Sequence, residues 1–441
     1  MYGEFSMFTL HDRDIYLKQL IAFQDKDLIK VMTGIRRCGK SSLMKLMIQH
    51  LRKTGIDDEQ IVEMNFESMR FSKFTPEQIY DYVKERVCPT KRTYMFFDEV
   101  QIVRGWENAI NSFRVDFDCD IYLTGSNAYL LSSDLSTYLS GRYIEIKVLP
   151  LSFKEFLAFQ DYKIVNRKMM TGEIQKTIVD SNGDRIDRKE AYNAYVMFGG
   201  MPIIMDVGLE LDKASNALEG IYSTAIIKDI LEREKRKDEI TVTDPLLLKK
   251  IVMFLADNIG NNTSTSSIGN VLSNEGMINS KGKKRTIAAH TVQLYIEALT
   301  QAYMFYEIKR FDIKGKDYLR TLGKYYIVDT GLRNYLLGFK SGDRGHLLEN
   351  IIYFELIRQG YSVAIGKVGN LEIDFIATKM TEKKYIQVTE SMNDPDTRKR
   401  ELAPLMKIED NYEKVVLALE CDTLFEYEGI KIQNALDFLL S

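Results

Sequence analysis

The chain has 441 residues, 60 Lys and Arg against 63 Asp and Glu, a net charge of −3 and a hydrophobic share of 45%. That length exceeds the ~250–300 residues over which one core grows, so two or three domains are expected, and the slightly acidic balance argues against a chain that coats nucleic acid. No apolar run reaches the ~18 residues of a membrane helix, no signal-peptide pattern opens the chain, and Cys38, Cys88, Cys119 and Cys421 show no paired spacing, so a cytoplasmic protein without disulfides or a zinc site is expected.

Asp27 to Gly34, DLIKVMTG, reads as a short buried strand running into a turn. TGIRRCGKSSLMKLM then holds Gly34, Gly39, Lys40 and Ser41, and Leu43, Leu46, Met47 and Leu51 recur at helical spacing. A glycine, four residues and Gly-Lys-Ser between strand and helix point to a phosphate loop. The glycines let the backbone wrap the phosphates, and the N–H groups at the helix start attract anions. Lys40 reaches the β- and γ-phosphates and Ser41 ligates Mg²⁺. Arg37 within the loop and Ser42 after it complete the candidate nucleotide-binding set.

Such a loop needs an acidic partner on a neighbouring strand. TYMFFDEVQ, Thr93 to Gln101, supplies Asp98 for Mg²⁺, directly or through water, and Glu99 to polarise the attacking water. CDIYLTGSNAYLL, Cys119 to Leu131, turns polar at its end, where Thr124, Ser126 and Asn127 lie; Asn127 or Ser126 is favoured to sense the γ-phosphate. Arg142 follows a glycine and precedes the strand YIEIKVL. An arginine brought against the γ-phosphate, in cis or from a neighbouring subunit, is worth ~10³–10⁵ in rate. An ordinary surface-turn arginine is an equal reading.

GIRRCGKSS, YMFFDEVQ, YLTGSNAYLLS and LSGRYIEIKVLPLSFKEF resemble a family of prokaryotic AAA+ ATPases related to archaeal and initiator-type ATPases. The resemblance implies an α/β P-loop domain with a parallel sheet over residues 1–200, and ATP and Mg²⁺ as cofactors. It carries Gly34, Gly39, Lys40 and Ser41 to phosphate and metal, Asp98 and Glu99 to metal and water, and Asn127 to the sensor role. Arg142 matches the family's Gly-Arg, with its role open. It also implies a C-terminal half of uncertain function.

Residues 152–240 read as helical, with a polar break at VDSNGDR, Val179 to Arg185, and a Gly-Gly-Met-Pro turn inside YVMFGGMP. From about 244 to 312 three helices and a β-hairpin suggest a winged helix-turn-helix. Lys281, Lys283, Lys284 and Arg285 lie before its third helix and suit DNA phosphates. An architectural or protein-contact module is the competing reading.

The last hundred residues order a helix with Glu349, a strand YSVAIGK, a strand with Asp374 and a strand with Gln387 and Thr389. This resembles the PD-(D/E)XK nuclease fold. That resemblance implies two carboxylates gathering Mg²⁺ and a lysine beside the water. Here Gln387 stands for an acid and Thr389 for the lysine, while strand alternation sends Glu390 to the other face. The domain therefore reads as a nuclease-like fold without the reaction.

The expected layout is an AAA+ P-loop domain over 1–200, a helical and winged-helix region over 201–340 and a nuclease-like mixed α/β domain over 341–441. The leading expectation is an ATPase coupling nucleotide state to the later domains. A nucleotide-switched DNA-binding or regulatory protein with little turnover is the alternative, and an ATP-dependent nuclease is the weaker one. ATP, DNA through the winged helix, and a protein are the expected partners; no membrane is expected, and an oligomer stays open.

Overall fold

A computed structural model describes residues 11–128, 141–168, 174–227, 229–231, 242–274, 286–313, 315, 317–338, 343–421 and 425–441. Two compact units divide the chain. The first comprises Met1–Val148 with Gln301–Tyr303, so it closes well short of the expected 200. In chain order it sets out α1 (Asp14–Ala22), β1 (Ile29–Thr33), α2 (Lys40–Lys53), β2 (Ile61–Asn65), α3 (Pro76–Lys84), β3 (Thr93–Asp98), α4 (Trp106–Asp116), β4 (Cys119–Gly125) and β5 (Tyr143–Lys147).

These strands form one five-stranded parallel sheet in the order β2-β3-β4-β1-β5. β1 and β3 are buried at every residue, which is why, apart from Lys30 and the polar strand ends, they read as apolar runs rather than alternations. Met64, Phe97, Ile110, Phe113 and Leu123 belong to one core that joins the sheet to α3 and α4. α3 starts on a capping box of Thr75 and Gln78 with Pro76 in its first turn. Because β4 lies between β1 and β3, the C-terminal ends of all three strands meet along one sheet edge.

The second unit comprises Leu149–Thr300 and Met304–Ser441. It opens with α5 (Phe153–Ala158), capped by Ser152 and Glu155. β6 (Lys163–Lys168), β7 (Ile174–Val179) and β8 (Arg185–Ile186) follow as a three-stranded antiparallel sheet. The expected helix over this stretch is therefore wrong. Its β-branched residues cluster at Ile164–Val165 and Thr177–Val179, which favours strand, and the polar break is a turn between β7 and β8. There Asp180 takes the N–H of Asn182 and Asp184, and Gly183 adopts φ 88°. Helices α6 (Arg188–Phe198), α7 (Ile203–Val207) and α8 (Leu211–Glu219) come next.

α9 (Pro245–Asp257), α10 (Thr265–Asn274) and α11 (Ala289–Gln301) precede β9 (Phe305–Asp312) and β10 (Asp317–Ile327), as the winged-helix reading expects. The hairpin is not a free wing, however. β9 also pairs in parallel with β11 (Ser362–Val368), Arg310 opposite Ile365 and Asp312 opposite Lys367. It thereby extends an eight-stranded mixed sheet of order β10-β9-β11-β12-β13-β14-β16-β15. The remaining strands are β12 (Leu371–Lys379), β13 (Glu382–Ser391), β14 (Glu413–Glu420), β15 (Glu426–Tyr427) and β16 (Ile430–Asn434). α12 (Thr330–Leu337), α13 (Arg344–Arg358), α14 (Pro395–Met406) and α15 (Ala435–Leu439) complete the unit. The sheet runs across the boundary expected at 340. Lys281, Lys283, Lys284 and Arg285 lie outside the described residues. Among the described residues no helix is long and apolar enough to cross a membrane.

The Gly-Gly-Met-Pro turn is set by close approach. A Cβ on Gly200 would meet the Leu151 carbonyl oxygen at 2.3 Å, and Gly200 N donates to Asp329 at 2.6 Å. Asp329 also caps α12 by accepting from Leu332 N at 2.9 Å. Gly200→Ala should cost at least about 2 kcal/mol of stability, because a backbone oxygen cannot step aside. Gly345→Ala, where the added Cβ meets nothing within 4 Å, should be neutral or gain up to about 1 kcal/mol. Denaturant unfolding of both variants checks this.

Burial pushes the Asp329 carboxyl up to about 6, against the backbone N–H bonds that favour its charged form. The folded state then holds the proton more tightly than the unfolded chain. The group's contribution is full below its ordinary value of 3.8 and is lost as pH rises through about 6. The unfolding free energy of wild type relative to Asp329→Asn should thus fall between about pH 4 and about pH 7. A difference that stayed flat across that window would contradict the assignment.

Candidate nucleotide-binding site

The phosphate loop leaves the end of β1 and enters α2. Gly34 (φ 146°) and Gly39 (φ 100°) both take left-handed backbone, as does Arg37 at φ 64°. A Cβ on Gly34 would stand 2.1 Å from the Val148 carbonyl oxygen, so only glycine fits there. α2 begins at Lys40 with no side chain capping its first turn. Its leading N–H groups are therefore available to an anion. Ser41, Ser42 and Arg37 are exposed at this helix start, and Lys40 is buried.

Lys40 Nζ donates to the carbonyls of Gly34 (3.0 Å) and Ile35 (3.1 Å) and lies 3.8 Å from Glu99 Oε1. β3 delivers the carboxylates. Asp98 accepts from Thr124 Oγ1 through one oxygen and from Asn65 Nδ2, at 3.0 Å, through the other. Glu99 sits in left-handed backbone at φ 53°. Its N–H donates to Thr124 Oγ1 at 2.9 Å, and its Oε2 accepts from Ser126 Oγ at 3.1 Å and from Gln101. Asn127 is buried at the same edge. Glu67 lies close by. Burial, with Glu99 and Asp98 adding repulsion, raises its carboxyl above the ordinary value while Arg36 pulls the other way.

The structure thus brings together Gly34, Gly39, Lys40, Asp98, Glu99, Thr124, Ser126 and Asn127. It does not bring Arg142 to them. Arg142 is exposed and precedes β5, and its carbonyl accepts from Ile29 N at the start of β1. The loop lies at the other end of β1, so a contact in cis with a phosphate there is excluded by the parallel register. The strand before which a residue falls fixes its edge, and here it fixes the wrong one. Asn65, Gln101 and Arg13 were not singled out by the sequence. The first two were legible as polar residues at the end of β2 and just after Glu99. Arg13 Nη1 donates to the Cys38 carbonyl inside the loop at 2.9 Å, and nothing local announces that.

The donor set suits Mg²⁺ with a nucleotide phosphate: a buried ammonium, a carboxylate held by two neutral donors, and a hydroxyl at an uncapped helix start. Comparison with known proteins bears on the fold. Residues 26–157 match a family model described as an AAA domain, and residues 189–343 match a domain of unknown function. An uncharacterised protein of Haemophilus influenzae is 38% identical over 430 residues, covering 97% of this chain and 98% of its own. The chain belongs to the family of that Haemophilus protein. An uncharacterised Methanocaldococcus jannaschii protein is 27% identical over 420 residues, 94% of this chain and 83% of its own. Among solved structures, a Walker-type ATPase of Pyrococcus abyssi is similar with a TM-score of 0.47 at 17% identity, over 74% of this chain and 95% of that one. The first domain has the P-loop fold of the AAA ATPases, and ATP binding follows from that domain.

Gly34→Ala should lower affinity for ATP at least about tenfold while the chain stays folded, because relieving the clash with Val148 must move the loop. Isothermal titration against a matched circular-dichroism melt checks both halves.

Proposed function

We propose that the protein binds ATP with Mg²⁺ and hydrolyses it, and that nucleotide state is coupled to the second half of the chain. The observation that carries this reading is Lys40, Asp98 and Glu99 meeting at one sheet edge around a glycine-shaped loop. Lys40 and the N–H groups of α2 bind the β- and γ-phosphates. Ser41 and Asp98 would hold Mg²⁺, which would supply neutralisation of phosphate charge. Glu99, fixed by Ser126 and Gln101, orients a water toward the γ-phosphorus. The water oxygen bonds to phosphorus, the bond to the bridging oxygen breaks, and ADP and phosphate leave with the water's proton passed to phosphate or solvent. Asn127 is the proposed γ-phosphate sensor. Arg142 keeps a role only if it reaches the site of a neighbouring subunit.

Coupling is supported by connectivity. Gln301–Tyr303, which closes α11, belongs to the first unit. There Tyr303 OH donates to Glu145 at 3.4 Å, and Glu145 also accepts from Thr33 Oγ1 at 2.6 Å, directly before Gly34. These two bonds are the proposed route by which a shift at the base of the loop would reach the end of α11. A second reading, a nucleotide switch with negligible turnover, is favoured by one feature. Glu99 is already engaged by Gln101, Ser126 and Lys40, so its carboxylate must give up a partner before it can hold a water.

Steady-state hydrolysis with and without duplex DNA tests both. Lys40→Ala should lose nucleotide binding and turnover. Glu99→Gln should keep ATP and lose about 10²–10³-fold in turnover. If Glu99→Gln changes little in a slow wild type, the switch is the better reading. Stimulation by DNA would make DNA the partner; indifference would assign that place to a protein. Wild type that neither binds nor hydrolyses ATP would remove the proposal.

A further inference from the structure

The second unit buries a cluster of charge that the nucleotide site does not use. Glu349 comes from α13, Glu372 and Asp374 from β12, Gln387 from β13 and Glu401 from α14. A nuclease-like frame would have Glu349, Asp374 and Gln387 share a divalent cation, and buried carboxylates do need a positive charge close by.

The cluster already holds one. Lys324, on β10, places Nζ 2.9 Å from Glu349 Oε1 and 2.9 Å from Glu372 Oε1, with its side chain 5% exposed. A register shift in the β9–β10 pairing, between Leu319 and Lys324, immediately precedes it. Such irregularities re-aim side chains. Tyr326, two residues on and on the same strand face, donates its hydroxyl to the same Glu349 oxygen. His346 Nδ1 stands 3.7 Å from the other, Oε2. Both oxygens of Glu349 are engaged. Burial lowers the affinity of Lys324 for its proton, but Glu349, Asp374 and Glu372 together outweigh it and hold the ammonium charged. Burial, reinforced by Glu349, raises Asp374 well above the usual carboxylate range.

The remaining groups are turned to other uses. Asp374 Oδ2 accepts from Val388 N at 2.8 Å. The Gln387 carbonyl, the one atom of that side chain able to ligate a metal, accepts from Asp374 N at 3.4 Å, and its amide donates to Glu401 Oε2 at 3.0 Å. Glu401 Oε1 is taken by Arg400 at 2.9 Å. Among the described residues no group of three His, Cys, Asp or Glu side chains is disposed to hold a metal. The residues present do not fit Mg²⁺.

We infer that Lys324 is the built-in counter-cation of this cluster, standing in for a divalent metal between Glu349 and Glu372, with Asp374 two residues along β12 from Glu372. The C-terminal domain is thus a metal-independent acidic core rather than a cutting site. A metal could enter only by displacing the ammonium, since the same carboxylate oxygens serve both. Removing that ammonium should open a cation site.

Mn²⁺ bound per chain, counted by electron paramagnetic resonance on the full chain without nucleotide, tests this. Wild type and Asp374→Asn should bind equal amounts, and neither should nick supercoiled plasmid in Mg²⁺ or Mn²⁺. Lys324→Met should gain one Mn²⁺ per chain, and Lys324→Met with Asp374→Asn should lose it again. Mn²⁺ binding or plasmid cleavage by wild type that disappears in Asp374→Asn would overturn the inference. So would a folded Lys324→Met chain that gains no metal. Should Lys324→Met fail to fold, the comparison of wild type with Asp374→Asn decides alone.

Discussion

A loop that wraps a phosphate must aim its N–H groups inward and dispose of its carbonyls elsewhere, and the first unit is arranged around that need. Thr33 O accepts from Val148 N at 2.7 Å. Gly34 O and Ile35 O accept from Lys40. Cys38 O accepts from Arg13, and Gly39 O from Leu43 N in the first turn of α2. These five acceptors are satisfied by four parts of the unit: the residue after β5, the loop's own lysine for two of them, the residue before α1, and the helix. The loop's shape is therefore a property of the folded unit and not of its motif alone. The motif lysine has two tasks, because the ammonium that would meet a phosphate is also the one that ties back two carbonyls.

The same ingredients, a lysine with carboxylates, recur in three buried settings with different access. Lys30 and Asp120 pair inside the first unit, both side chains fully buried, with Tyr122 and the N–H of Asp25 also on Asp120. That pair lies toward the start of β1 and β4, has every partner it needs and has no helix start beside it. Lys324 with Glu349 and Glu372 is likewise closed. Lys40 differs because exposed Ser41 and an uncapped helix start lie next to it. Burial of charge is common to all three, and only the third is built to exchange a partner. Buried ionisable groups mark a functional site where such an exchange is available.

What was legible follows the reach of the signals. Strand, loop, helix and the Asp98-Glu99 strand end are local patterns, and the sheet placed them together because parallel strands share one functional edge. Arg142 is placed away from the loop of its own chain by the same logic, since a residue before a parallel strand belongs to the opposite edge. The β6–β8 sheet leaves little trace because its short strands, KIVNRK and IQKTIV, lack the apolar–polar alternation that marks a half-buried strand. Lys324 was invisible for a stronger reason. In a hairpin it reads as an ordinary polar position, and the carboxylate that explains it lies 25 residues away in sequence. Lys30 left a readable trace: a lysine in the middle of a strand buried at every position demands an acid somewhere.

The β9–β10 hairpin shows how one set of strands can satisfy two architectures. Three helices and a hairpin match a winged helix in order, yet β9 is an interior strand of the eight-stranded sheet through its parallel pairing with β11. A wing that is also a sheet strand cannot swing independently, because its backbone groups are paired on both sides. β10, at the sheet edge, carries Lys324 and Tyr326 into the acidic core. The hairpin is thus held twice, by the ladder and by the buried ammonium. Hairpin and sheet are therefore one hydrogen-bonded assembly within the second unit and not two loosely linked modules.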